Sequence, residues 1–239
     1  MHKLYRTRLS IYIPVLFVIF LVAITYMPKI TPLVSYIALF SASIILLGFY
    51  LNPLLMAAKN RIEELVYLIS LESSVFFNID LELEEVDDSH REEIMKLSKK
   101  YLEKKINNKD SKKSDDEYFA IVNYCLAHKK DKSLRKVITR LSDNNKNRAR
   151  IALQLRSRVY ASEWLVMLML YLVAIGFIVS LELPPHNPVT NCIASLLATA
   201  ISFALLYLWK LSNLTHKKAI DMWQPFIQLV RSNFDSVDF

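Results

Sequence analysis

Few residues in this chain combine reactive types with useful spacing. Five histidines (His2, His90, His128, His186 and His216) are scattered from end to end, and the two cysteines, Cys125 and Cys192, stand far apart. Neither an HExxH pair nor a nucleophile elbow occurs. The only glycines are Gly48 and Gly176, so a glycine-rich phosphate loop cannot be built. The histidines are read as making no cluster, and no catalytic residue, cofactor or metal is expected. The acidic run of Asp80, Glu82, Glu84, Glu85, Asp87 and Asp88 offers oxygen ligands for a hard cation. Its spacing departs from an EF-hand loop and lacks the glycine of the sharp turn, so it reads as a solvated or partner-facing face.

A second pattern concerns packing rather than bond-making. Ala194, Ala198 and Ser202 recur every four residues, with Ser195 and Thr199 beside them. On a helix these five side chains form a small face. It lets another backbone approach closely, and its hydroxyls can bond across the contact. Helix packing, pore lining and a subunit interface all remain open for it. No charge falls in the centre of the surrounding apolar run, nor in the three others of the chain. This argues against a proton-coupled transporter using a buried carboxylate and leaves open a channel gated by apolar constrictions.

The elements that must carry this face are apolar runs at both ends of the chain. Ile11 to Ala58 and Trp164 to Trp209 each read as a helical hairpin, because runs of about 20 apolar residues suit a bilayer. Lys3, Arg6 and Arg8 precede the first run, whose end shows no small-x-small site, so a retained anchor is expected. Lys29 is the only basic residue in the first hairpin turn, and the second turn, Leu181 to Asn187, has none. Lys59, Arg61, Arg156, Arg158, Lys210, Lys217 and Lys218 flank the opposite ends. The asymmetry places both termini and the centre in the cytoplasm. Cys125 and Cys192 then fall on opposite sides, and no intrachain disulfide is expected. Trp164, Trp209 and Trp223 are expected at interfacial depth.

The fold class predicted is an all-α integral membrane protein, with two transmembrane hairpins flanking a helical cytosolic module. The boundaries are 1–58, 59–161 and 162–210, with a cytosolic or interfacial tail at 211–239. The net charge is +7, but Lys59 to Ala161 holds 22 Lys and Arg against 18 Asp and Glu. Most of the excess therefore serves topology and anionic headgroups, and no nucleic acid partner is expected. The second span should continue into the module as one helix from Thr31 to about Leu71, kinked near Pro53, with Ile62, Leu65, Val66 and Ile69 as its stripe. The composition turns acidic from Phe76 to Asp88, and a loop or cap is expected at the boundary between that stretch and the helix beyond it. A charged helix follows from Arg91 to Lys105, then a linker from Asn107 to Ser114. Ser114 and Glu117 form a capping box, opening a helix with Tyr118, Val122, Cys125 and Leu126 on its apolar face. Leu134, Val137, Ile138 and Leu141 mark a short helix that Asn144 to Asn147 ends. A last helix, Arg148 to Ala161, should feed straight into the third span.

Leu46-Leu47-Gly48-Phe49, Ile62-Glu63-Glu64-Leu65, Arg148-Ala149-Arg150-Ile151 and Trp223-x-Pro225-Phe226 together resemble the bestrophin-like family of bacterial membrane proteins of unknown function. The resemblance covers the plan of nearly the whole chain and implies cytosolic extension of the spans. By analogy with bestrophins, it implies an oligomeric anion channel in a bacterial inner membrane. The expected function is an ion-conducting or permeability protein that forms a homo-oligomer in the lipid bilayer. The alternatives are a membrane-anchored adaptor, sensor or immunity protein with a cytosolic protein partner, and a bacterial defence effector.

Overall fold

The computed structural model describes residues 9–30, 34–107, 111–129, 131–156, 159–180, 188–212 and 222–231. All regular elements among them are helical, with no strand. The helices are α1 (Leu9–Tyr26), α2 (Val34–Leu83), α3 (Asp88–Asn107), α4 (Ser111–Ala127), α5 (Lys132–Arg156), α6 (Ala161–Ser180), α7 (Pro188–Ser212) and α8 (Gln224–Leu229). They form two compact units. One comprises Met1–Asn60 with Arg158–Asn213; the other comprises Arg61–Ser157 with Leu214–Phe239.

In the first, apolar unit, α1 packs chiefly on α7, and α6 touches both. Phe20 and Ile24 of α1 meet Ile178 and Val179 of α6 and Ala194 and Ala198 of α7, while Phe40 of α2 lies against Phe177 of α6 with ring centroids 6.0 Å apart. Small residues on α7 let the large ones of α1 close the gap. Two contacts fix the end of α6. The Lys29 ammonium donates to the Val179 carbonyl at 2.9 Å, and the Ile30 amide donates to the Ser180 carbonyl at 2.8 Å. The outward faces stay apolar, with Ile19, Phe49, Leu172 and Ile193 all more than half exposed. Three helices, α2, α6 and α7, are long and apolar enough to cross a membrane by length and composition; α1 is apolar but shorter, Tyr12–Tyr26 over the stretch compared.

The charged unit follows a different logic. Buried positions on its helices repeat at alternating steps of three and four, the spacing of helices wound side by side. On α2 the stripe runs through Ile62, Leu65, Ile69, Glu72, Phe76, Ile79 and Leu83, with Leu68 and Ser73 buried beside it; on α5 it is Leu134, Val137, Leu141, Asn144, Arg148 and Ile151. Neighbours in sequence run antiparallel. Glu64, Glu72 and Glu82 of the α2 end, and Glu85 in the turn after it, meet Arg150, Arg148, Arg140 and Lys136 of α5 in reverse order. Tyr101 of α3 reaches back to Glu72, and Tyr118 of α4 donates to the Leu141 carbonyl of α5 at 2.5 Å. The result is an up-down-up-down arrangement of the α2 end, α3, α4 and α5, with short connections.

Several local expectations change. The second helix is a single element of 50 residues, about 75 Å at 1.5 Å per residue, ending at Leu83 rather than near Leu71. Phe76, Ile79 and Leu83 continue its buried stripe, and this burial outweighs the acidic composition. The chain then turns through tight bonds from the amides of Glu84, Glu85 and Val86 to the carbonyls three residues back. Asn144 to Asn147 do not end a helix, because Asn144 is itself buried on the stripe of α5. The α5 helix stops at Arg156 instead of feeding into α6; Val159 and Tyr160 are non-helical, and the Glu163 carboxylate accepts the Tyr160 amide at 3.1 Å to start the next helix. The predicted capping box is absent in practice, since α4 begins at Ser111 and Glu117 turns to Lys100 and Lys104. On that helix Tyr118, Ile121 and Cys125 face inward, while Leu126 is exposed.

Trp223 is expected at interfacial depth but is buried within the chain. It is 2% exposed, its ring tilted against that of Phe226 with centroids 5.4 Å apart, and it belongs with α8 to the charged unit, where α8 packs on α3. A short terminal helix can hold only by burying large side chains, and these two supply that burial. Trp223→Ala should therefore cost about 3–5 kcal/mol, read as a lowered denaturation midpoint in detergent; an unchanged midpoint would show that the tail contributes nothing.

Candidate functional site

Each unit carries one feature set apart from ordinary packing. In the apolar unit it is the small face of α7. Ala194, Ser195, Ala198, Thr199 and Ser202 are all buried within the chain, Ser195 and Ala198 completely. Their hydroxyls turn inward on their own helix: Ser195 donates to the Asn191 carbonyl, Thr199 to that of Ser195 and Ser202 to that of Ala198, each at 2.7 Å. Ser202 also meets the Tyr171 hydroxyl of α6 at 2.7 Å. The face thus spends its polarity within α7 and on one neighbour.

In the charged unit the feature is a polar layer across the bundle. Glu72 is fully buried at a position where the α2 stripe is otherwise apolar. The Tyr101 hydroxyl donates to its Oε1, toward which Lys105 Nζ lies 3.8 Å and Arg148 Nε 3.9 Å away. Lys105 also donates to the Tyr101 oxygen at 3.1 Å. Arg148 spreads its guanidinium over Tyr118, with Cζ 3.5 Å from the ring centroid. Tyr101 is stacked on Phe76 at 5.1 Å and tilted against Tyr118 at 5.4 Å. All four helices contribute: α2 gives the carboxylate, α3 a phenol and an ammonium, α4 a phenol, and α5 the guanidinium and the buried Asn144.

Electrostatics follow from burial. Tyr101 is held well above the ordinary phenol range, first by desolvation and then by the charge of Glu72. Tyr118 is pushed up to about 12 by burial, against the opposing pull of Arg148. Both phenols are therefore protonated donors at neutral pH. Burial likewise raises the Cys125 thiol to about 11, which makes it inert as a nucleophile. Lys104 and Lys100 hold the Glu117 carboxyl below its usual range, the Lys104 hydrogen bond being the main cause. The layer offers one carboxylate facing two cations, with protonated phenol donors. Among the described residues it presents no activated nucleophile.

The other candidates from the sequence fall as follows. Glu82 and Glu85 of the acidic run are paired with Arg140 at 2.6 Å and Lys136 at 3.0 Å, so they help zip α2 to α5. No group of three or more metal-ligating side chains occurs among the described residues. Two histidines do come together, contrary to the reading of a scattered set. The His90 and His128 rings lie 4.5 Å apart, and Tyr124 holds both through its hydroxyl and carbonyl oxygens at 2.9 and 3.0 Å. Cys125 is buried and Cys192 exposed, both as free thiols. His2, His186, His216 and Glu182 lie outside the described residues.

The polar layer was not singled out from sequence, although a signal for it exists. Glu72 interrupts Ile62, Leu65, Ile69, Phe76, Ile79 and Leu83, and Arg148 follows Leu134, Val137, Leu141 and Asn144 at the same three-four spacing. A lone acid and a lone base on two apolar seams are complementary partners. No family model, curated protein or solved structure matches the chain.

Breaking a buried pair from one side strands the other charge. Glu72→Leu and Arg148→Met should each destabilise the charged unit by about 3–5 kcal/mol, while the two together should lose far less than the sum. Denaturant titration of the four proteins measures this coupling; additive losses would remove it. The phenols set a second expectation. An unfolded tyrosine ionises near pH 10, so the stabilisation from Tyr118 is complete below that pH and is lost as pH rises toward 12. The change should be on the order of 2–3 kcal/mol. Tyr118→Phe should flatten that alkaline decline, and an identical decline in the variant would refute the assignment.

Proposed function

We propose that this chain is a membrane-anchored binding or relay protein. In this reading α1, the apolar part of α2, α6 and α7 are four spans, and the charged helical unit works at the cytoplasmic face. Function resides in recognition by that unit rather than in turnover. The observation that carries the proposal is where the concentrated buried polarity lies: it crosses the charged bundle at Glu72, Tyr101, Lys105 and Arg148. The small face of α7, the best candidate for a pore wall, is covered by helices of its own chain. Such a polar layer favours one helix register over its neighbours, a property suited to a module that must present a defined surface or pass between defined arrangements.

The basic residues flanking the apolar runs support the orientation, and the exposed apolar outer faces support lipid as their solvent. Membership of the bestrophin-like family and its oligomeric anion channel is the competing proposal. The two part company in proteoliposomes. Full-length protein should pass no chloride or potassium above empty vesicles over a range of salts; flux that Ala198→Leu abolishes would replace the anchored-module reading with the channel. Orientation is read separately with a Cys192→Ser background carrying Glu84→Cys, an exposed position of the charged unit. An impermeant maleimide should label inside-out vesicles and spare intact cells, and labelling of intact cells would reverse the topology.

A further inference from the structure

The α2 helix has a second face in the charged unit that its own bundle leaves unused. Tyr67, Ser70, Ser74, Phe77 and Leu81 are all exposed, at steps of three, four, three and four. Tyr67 is 61% exposed, Phe77 45% and Leu81 47%. This spacing is the same as that of the buried stripe on the opposite side, so the face is a straight seam suited to another helix alongside. Between Leu65 and Ile79 the only charged residue of α2 is Glu72, which is buried on the other side. In a unit otherwise crowded with charge, this stretch shows water none. Ser74 bonds back to the Ser70 carbonyl at 3.0 Å, so its hydroxyl already has a partner within the helix.

We infer that this seam pairs with the same seam of a second copy of the chain, side by side and parallel. The inference rests on the membrane-anchored reading of the preceding section. Charge is the first argument. Between Tyr67 and Leu81 the seam has nothing to attract an acidic or basic partner and sets no like charges against its own copy; the exposed acids Glu63 and Glu84 fall only at its two ends. The nearby acids Glu64 and Glu82 are already neutralised within the chain by Arg150 and Arg140. Area is the second. Tyr67, Phe77 and Leu81 together expose on the order of 300 Å², whereas a free protein partner needs roughly 800 Å² per side for stable association. A copy fixed in the same bilayer escapes that requirement, because confinement raises its effective concentration and presents it in the same orientation. A two-fold axis parallel to the seam then sets Tyr67, Phe77 and Leu81 each against its own equivalent.

The experiment uses full-length protein in native membranes with Cys192→Ser as background. Ser70→Cys and Ser74→Cys should give an oxidative crosslink at twice the chain mass, whereas Ser142→Cys, exposed on α5, should not. Adding Phe77→Glu to Ser74→Cys should reduce the crosslinked fraction at least tenfold, with an unchanged protease pattern reporting intact folding. A missing crosslink at both seam positions would overturn the inference. So would equal crosslinking at Ser142→Cys, or adducts only at the mass of another protein. Carbonate extraction of the same membranes separates the two readings: protein that stays in the pellet without crosslinking loses the seam alone, and protein released to the supernatant loses the anchor.

Discussion

The buried carboxylate of Glu72 is the constraint around which the charged unit is organised. A lone carboxylate removed from water is costly, and the surrounding helices answer it with the phenol of Tyr101, the ammonium of Lys105 and the guanidinium of Arg148. Each answer comes with its own supports. Tyr101 needs Phe76 and Tyr118 to hold its ring, and Arg148 needs the face of Tyr118 beneath it. One charge thereby couples four helices. An apolar layer at the same level would give comparable burial but would accept several registers.

The apolar unit rests on a different principle. Its helices have no charged layer to align them and use complementary size instead, with Ala194 and Ala198 opposite Phe20 and Ile24. Serine and threonine hydroxyls that could have bridged helices are mostly returned to the backbone of α7. Close packing in a lipid-like environment depends on such economy, because an unsatisfied hydroxyl there has no water to turn to. The two units therefore solve the same problem, holding helices in register, with opposite chemistries.

Legibility in the sequence followed the same division. The helical class and the apolar runs were plain, because hydropathy is a local property summed over a window. The small face of α7 was also readable residue by residue, though whether it packed within the chain or lined a pore was not. Errors arose where a tertiary contact overrode local composition. Asn144 looked like a helix breaker and instead lies inside α5; Glu117 looked like a cap and instead pairs with Lys100 and Lys104; Trp223 looked interfacial and is buried. His90 and His128 are 38 positions apart and meet only because α3 and α4 run antiparallel. The polar layer was legible in principle from two interrupted stripes, but pairing them required the order of helices in the bundle.

The regular three-four spacing of the buried positions limits how this chain can change length. Each residue added to an α-helix rotates everything beyond it by about 100°. A single insertion between Ile69 and Glu72 would swing the carboxylate off the inner face and carry Phe76, Ile79 and Leu83 with it. Seven residues, close to two full turns, would nearly restore the phase. Length variation within the helices of the charged unit is thus quantised in heptads, while the turn after Leu83 can absorb a residue without disturbing any layer. Tolerance to insertion is a property of phase here, and it can differ completely between two neighbouring positions that are equally close to solvent.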